Sequence, residues 1–297
     1  MSAPETFVHG CGKEPELVPR PNQRIGAILS QEAGLGSREI RQILDFQKAE
    51  DLRFGQAALR LGLITVDHLQ RALAIQYNVP HLMPNNGRTN SELVVAYQPF
   101  DPCAEQLRTL RTQLQIRWVN SAIRRRVLAI LSPGSQEGRS YVTANLAVAF
   151  SQLGQRALLI DADMRAPRQH RVFAVPNRIG LSVALSGRAG RDAIVPVPEF
   201  GKLYVLPAGA RPPNPLELLS GDRFERLLEE LEQDYDVILL DTPPAKRTAD
   251  AQSIAFRAGS ALVVARRDHT AINDTAIVIR KIDTTGATTV GTVFNAF

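Results

Sequence analysis

VLAILSPGSQEGRSY, residues 127–141, decides the fold. Val127 to Leu131 are apolar without the polar alternation of a half-exposed strand, so both faces of that strand should be covered. The strand runs into Pro133-Gly134-Ser135-Gln136-Glu137-Gly138-Arg139-Ser140, and helical periodicity then begins, carried on through NLAVAFSQL. A flexible turn between a strand and a helix N-terminus aims several backbone N–H groups at one point, where the helix dipole also favours an anion. Against the pattern GxxxxGK[ST], Gly138 and Ser140 match, Pro133 stands at the first glycine and Arg139 at the lysine. A phosphate cradle is therefore expected from Gly134, Ser135, Gln136, Glu137, Gly138, Arg139, Ser140 and Tyr141.

Outward from this stretch, strand and helix patterns alternate. Apolar runs fall at 156–161 (RALLID), 203–208 (LYVLPA), 236–241 (DVILLD), 260–265 (SALVVA) and 288–294 (TTVGTVF), with helical segments near 221–233 and 271–284. That pattern predicts an α/β doubly wound, mostly parallel sheet with helices on both faces. Ligands of such sheets bind beyond the carboxyl ends of the strands, where Asp161, Asp163 and Asp241 fall. Each could simply cap the turn that follows its strand. Three of them beside the loop instead predict one crevice, in which hard oxygen donors of this kind, together with Ser140, suit Mg²⁺ held between protein and nucleotide phosphates.

Across residues 97–297 the sequence resembles the bacterial protein-tyrosine kinases of exopolysaccharide synthesis. The resemblance rests on Glu105-x-x-Arg108-x-x-Arg111, SPGSQEGRS followed by ANLAVAFSQLG, LLIDADMR, PAGARPPNPLELL and DYDVILLDTPP. The related cell-division and partition ATPases carry an additional lysine at the position of Gly134 and rank second. What the resemblance implies is a P-loop fold that transfers the γ-phosphate of ATP to protein tyrosine, with Mg²⁺ as cofactor. Asp161 would then orient the tyrosine hydroxyl as a base, Arg139 would replace the phosphate-binding lysine, and Ser140, Asp163 and Asp241 would hold the metal. Glu105, Arg108 and Arg111 would join neighbouring subunits into a homo-oligomeric ring, although three such residues could equally form a solvated, salt-bridged helix face. A membrane-anchored chain-length determinant is the implied partner, which places the chain in the cytoplasm and, through that partner, at the inner membrane.

Two departures from the family stand out. Arg139 keeps the charge of the lysine but replaces a compact ammonium with a planar fork, and Gln136 puts a side chain where the family often has glycine. The family's tyrosine-rich tail is also lacking: Tyr77, Tyr97, Tyr141, Tyr204 and Tyr235 are scattered, so the acceptor tyrosine should come from a partner or an unidentified internal site. The alternative is an ATP-binding regulatory switch of the same assembly that transfers no phosphate.

Before this region lies an internal repeat. RIGAILSQEAGLGSREIRQILDFQ (Arg24 to Gln47) and RFGQAALRLGLITVDHLQRALAIQ (Arg53 to Gln76) share a leading Arg-x-Gly, a central glycine (Gly34 or Gly62), an apolar helical ladder and a closing Gln. Ser37 and Thr65 occupy expected N-cap positions, so each copy reads as helix-turn-helix and the pair as a small all-α module. The repeats resemble the N-terminal domain of type II secretion and pilus ATPases, some of which bind cyclic di-GMP. Arg24, Gly26, Arg53 and Gly55 would serve that ligand, while an αα protein-docking module explains the same ladder.

The expected division is a disordered leader over 1–23, the repeat module over 24–77, a linker over 78–104 and the nucleotide-binding kinase domain over 105–297. A chain of 297 residues with 44% hydrophobic and 22% charged residues can bury a core and is too apolar for general disorder. Thirty-five Lys and Arg against 30 Asp and Glu, well mixed, give no basic stripe for specific nucleic-acid binding. Cys11 and Cys103 lie far apart, and the five histidines have no ligand spacing, so neither a disulfide framework nor an imidazole metal site is expected. Nothing reads as a membrane span or secretory signal. Trp118, ending the helix that begins near Glu105, is expected at a surface edge.

Overall fold

The computed structural model describes residues 25–77, 91–120, 125–188 and 190–296. The chain divides into two compact units, Met1–Val79 and Pro80–Phe297. In the first, α1 (Ile25–Ala33), α2 (Ser37–Glu50), α3 (Phe54–Arg60) and α4 (Val66–Tyr77) realise the two helix-turn-helix repeats. Gly34 and Gly62, at φ +65° and +67°, supply the left-handed residues that end α1 and α3. Thr65 caps α4 as expected: its hydroxyl accepts the His68 N–H at 3.2 Å. Ser37 does not cap α2, because Gly36 holds the extended N-cap conformation and Ser37 is already inside the helix. Ile28, Leu29, Ile43, Ala57, Ala58, Ile64 and Ala72 form this unit's own core.

In the second unit, α5 (Val94–Tyr97) and α6 (Pro102–Leu114) precede β1 (Val127–Leu131), α7 (Arg139–Ser151) and β2 (Ala157–Asp161). Then come α8 (Gln169–Val172), α9 (Leu181–Leu185), β3 (Val195–Pro196), β4 (Leu203–Leu206), α10 (Pro215–Ser220) and α11 (Asp222–Leu231). The unit closes with β5 (Val237–Asp241), α12 (Asp250–Ala258), β6 (Ser260–Arg266), α13 (Ile272–Asp283) and β7 (Thr288–Asn295). The strands form one sheet in the order β3-β4-β2-β5-β1-β6-β7. Every pairing is parallel except the antiparallel edge pair β3–β4. Alternate residues of one strand enter different cores: Leu128 and Ile130 on one face, Val127, Ala129 and Leu131 on the other. This is the doubly wound architecture expected from continuous apolar runs.

The span 78–104 is not a linker throughout. Residues 78–90 lie outside the described ones, but Leu93, Val95 and Ala96 are fully buried and Tyr97 nearly so. Asn145 of α7 pins this segment: its Oδ1 accepts the Val95 N–H at 3.2 Å and its Nδ2 donates to the Glu92 carbonyl at 2.9 Å. Turn-forming residues on either side hid this short buried run. Trp118 also departs from expectation. After α6 the backbone widens into one π turn, Gln115–Val119, which swings the indole inward onto Phe150 (centroids 6.4 Å apart, edge-to-face). It is 1% exposed. The leader 1–23 lies outside the described residues.

Candidate functional site

The sheet register brings the acidic strand ends together. Asp161 of β2 stands opposite Asp241 of β5, and Asp241 stands opposite Ile130 of β1, immediately before the loop. Beyond β1, Ser132 Oγ donates to the Gly134 carbonyl at 2.8 Å, and the Gly134 N–H donates to Glu137 Oε2 at 2.7 Å. Gly138, at φ +88°, turns the chain into α7. Of the thirteen residues of α7, eleven are buried, so the loop is mounted on a helix enclosed on nearly all sides. The loop is also braced from across the sheet: Thr270 Oγ1 donates to Glu137 Oε1 at 2.6 Å, and Asn295 Nδ2 donates to the Glu137 carbonyl at 3.3 Å.

Arg139 lies beneath this loop. Its Nε donates to Asp241 Oδ1 at 3.3 Å, its Nη2 to Asp163 Oδ2 at 3.4 Å and its Nη1 to Ser132 Oγ at 2.7 Å. Asp241 Oδ2 accepts from Gln169 Nε2 at 2.7 Å, and the Ser140 hydroxyl also bonds this carboxylate. Burial raises the pKa of Asp241, opposed first by Arg139. The site therefore gathers Arg139, Ser140, Asp163 and Asp241 as expected. Two carboxylates facing a single monovalent cation, with a hydroxyl beside them, form a donor set whose charge and hardness suit Mg²⁺. Among the described residues no cluster of three or more His, Cys, Asp or Glu side chains could hold a metal alone.

Asp161 is placed differently from a base that meets a substrate hydroxyl. Its carboxylate is 0% exposed and accepts backbone N–H groups of Asp163 at 3.2 Å, Arg168 at 2.9 Å and Gln169 at 2.9 Å. In this arrangement it anchors the turn after β2, a role open to any aspartate at a strand end. Burial, and next Asp241, push its pKa well above the ordinary carboxylate range. The turn it anchors carries further charge pairs: Arg165 grips Asp250 through two bonds, at 2.6 and 3.1 Å, and Arg168 grips Glu92 at 2.6 Å. Gln169, Asp250, Thr270 and Asn295 were not foreseen. No spacing in the sequence marks them, and only the folded chain brings Gln169, Thr270 and Asn295 to the loop and its carboxylates, and Asp250 to Arg165.

The sequence profile of the family described as AAA domain matches residues 126–290, more than half of the chain. The tyrosine-protein kinase YwqD of Bacillus subtilis is 37% identical over 185 residues, covering 62% of this chain and 77% of that relative. The chain belongs to the bacterial tyrosine-protein kinases. Among solved structures of this kinase family, the kinase domain of the Escherichia coli tyrosine kinase ETK superposes with a TM-score of 0.67 at 30% identity, covering 72% of this chain and 83% of that one. The septum site-determining protein MinD of Pyrococcus horikoshii, solved as a complex with Mg-ADP, superposes at 0.51 and 27% identity over 57% of this chain and 69% of that one. Some relatives are much longer. A tyrosine-protein kinase of the cps region of Klebsiella pneumoniae is 34% identical over 203 residues, which is 68% of this chain but 28% of that protein.

Other features expected of this family member fall away from the carboxylates. A cavity of about 860 Å³ adjoins the loop at Gln136, Gly138 and Tyr141 and is also lined by Leu107, Val142 and the exposed Phe294, but none of the three aspartates lines it. On α6, Glu105 pairs with Arg108 at 3.3 Å, Arg108 also bonds the Pro99 carbonyl, and Arg111 donates to the Ala149 carbonyl of α7 at 3.2 Å. The two arginines thus have partners within their own chain. Among the described residues no helix is long and apolar enough to cross a membrane.

In the repeat unit Arg24 lies outside the described residues. The two glycines expected to admit a ligand face side chains instead. A Cβ on Gly26 would meet the Phe54 ring at 3.5 Å, and one on Gly55 would meet Leu69 Cδ1 at 2.6 Å. They are small so that helices can pack closely, and cyclic di-GMP gains no support from them. Arg53 precedes α3, where its N–H donates to Gln56 Oε1 at 3.3 Å.

Proposed function

We propose that this chain is an ATP-dependent protein-tyrosine kinase that acts in exopolysaccharide chain-length control and export beside a membrane-anchored chain-length determinant. The observation that carries this reading is the convergence of the 133–140 loop, Arg139, Asp163 and Asp241 at one end of a parallel sheet whose relatives are named tyrosine kinases. Phosphoryl transfer passes through a loose transition state, so holding the phosphates in line and balancing their charge supplies most of the catalysis. Gly134 to Tyr141 would cradle the phosphates, and Arg139 would turn onto them. Ser140, Asp163 and Asp241 would hold Mg²⁺, which when bound neutralises phosphate charge. Asp161 would orient the acceptor hydroxyl only after the turn over Asp163, Arg168 and Gln169 releases it.

The acceptor tyrosine in this reading comes from another molecule. Tyr97 and Tyr235 are buried, and Tyr141 is half-buried with a pKa pushed up to about 12, chiefly by burial. Glu105, Arg108 and Arg111 would contribute to a homo-oligomer by exchanging their internal partners. The repeat unit would dock protein, with calorimetry against cyclic di-GMP giving no heat. The chain would work in the cytoplasm, held at the inner membrane by its partner.

One observation favours a second reading, a nucleotide-binding switch without transfer: Arg139 and Asp161 are both engaged inside the protein. Incubation with γ-³²P-ATP, Mg²⁺ and the cytoplasmic segment of the determinant decides between them. Label on tyrosine that disappears in Asp163→Asn supports the kinase. Nucleotide binding without label supports the switch.

A further inference from the structure

Arg139 stands at the position of the phosphate-binding lysine, yet its guanidinium lies on the two carboxylates that the reading above gives to the metal. All three groups are buried, at 9% exposure or less for Arg139, Asp163 and Asp241. A planar fork can hold two carboxylates at once through Nε and Nη2, which a single ammonium does not match in shape. The contacts of 3.3 and 3.4 Å are longer than the roughly 2.7–2.9 Å of tight charge-assisted bonds, so this cation holds the acids loosely and can be exchanged. The two arginines of the turn after β2 are engaged elsewhere, Arg165 with Asp250 and Arg168 with Glu92.

We propose that Arg139 is a built-in counter-ion that competes with divalent metal for Asp163 and Asp241. One positive charge cannot serve both those acids and a phosphate group. Metal therefore enters as the guanidinium leaves, and a phosphate in the loop above draws the guanidinium away. Metal and nucleotide consequently bind with strong mutual reinforcement, each poorly alone, and by linkage the coupling is the same in either order. The inference rests on the reading of 133–140 as a nucleotide-phosphate loop.

The test is titration of the full chain with Mn²⁺ as a spin probe, with no nucleotide added. Arg139→Gln removes the charge and frees both acids, and should bind Mn²⁺ on the order of tenfold more tightly than the parent chain or better. That gain should vanish in Arg139→Gln combined with Asp163→Asn. Equal affinity in parent and Arg139→Gln overturns the proposal. Since Arg139→Gln leaves two buried acids uncompensated, circular dichroism checks its fold. If it is unfolded, the arginine Nε–H resonances of the ¹⁵N-labelled parent decide instead. The Arg139 signal, assigned by its loss in Arg139→Lys, should exchange slowly with water and shift on addition of Mg²⁺ and ADP. A fast-exchanging signal that does not move overturns the proposal. Binding of a fluorescent ADP separates the two failures: no binding under any condition refutes the nucleotide reading, whereas binding with a metal affinity indifferent to Arg139 refutes the counter-ion alone.

Discussion

Gln136 is exposed and sits at φ +60°, a left-handed conformation that costs a residue with a Cβ about 1–2 kcal/mol. Replacing it with glycine relieves that strain, offset in part by the greater freedom of glycine in the unfolded chain. Gln136→Gly should raise stability in urea denaturation by roughly 0.5–1 kcal/mol. Asp161 ties stability to pH. Its folded pKa is raised by burial and then by Asp241, against the N–H bonds from Gln169 and Arg168, so the folded chain holds its proton more tightly than the unfolded chain does. The contribution is full below the ordinary value of 3.8 and is lost as pH climbs through the raised one. Denaturation midpoints should therefore fall as pH rises through that window, and Asp161→Asn should flatten the fall. At this scale the loop and three aspartates were legible because a strand end fixes where its last residue goes. Gln169 and Thr270 were not, since each gains its role from a partner far along the chain.

Elements were read according to how much of their burial is local. The strands of the sheet centre are continuous apolar runs, and β1 begins and ends where the pattern places it. The edge strand β3 is two residues long and contains Pro196, which leaves too little pattern to detect. Helix α12 buries Ala251, Ile254, Ala255 and Ala258 at helical spacing, but three of these are alanines that carry little apolar signal, and the stretch before it reads only as turn. A tighter constraint lies where β4 leaves the sheet. Gly180, at the start of α9, faces backbone, and an added Cβ would lie 2.2 Å from the Pro207 carbonyl oxygen and 2.4 Å from the Gly209 nitrogen. Backbone cannot rotate away as a side-chain tip can. Gly180→Ala should cost about 3 kcal/mol, read as a shift in the urea midpoint at constant slope.

For the whole molecule, the correction at residues 91–104 sets where an independent domain can begin. A fragment over 80–297 keeps Leu93, Val95, Ala96 and Tyr97 in the core, whereas one over 105–297 deletes them and removes two of the three partners of the Asn145 side chain, leaving only the Tyr141 carbonyl. At about 1.5–3 kcal/mol for each large apolar side chain, the shorter fragment should be less stable by roughly 5 kcal/mol or more in denaturant titration. The strand order also governs how this chain is made. The central strand β1 is flanked by β5 and β6, and the side-chain bonds that fasten it join residues 112 apart, Ile130 to Thr242, and 133 apart, Val127 to Ser260. A ribosome adding about 5–20 residues per second leaves β1 without either neighbour for many seconds. Through that interval Val127 to Leu131 is a naked oily ribbon on a nascent polypeptide, so overproduction at reduced temperature or with added chaperone should decide how much of it reaches the native sheet.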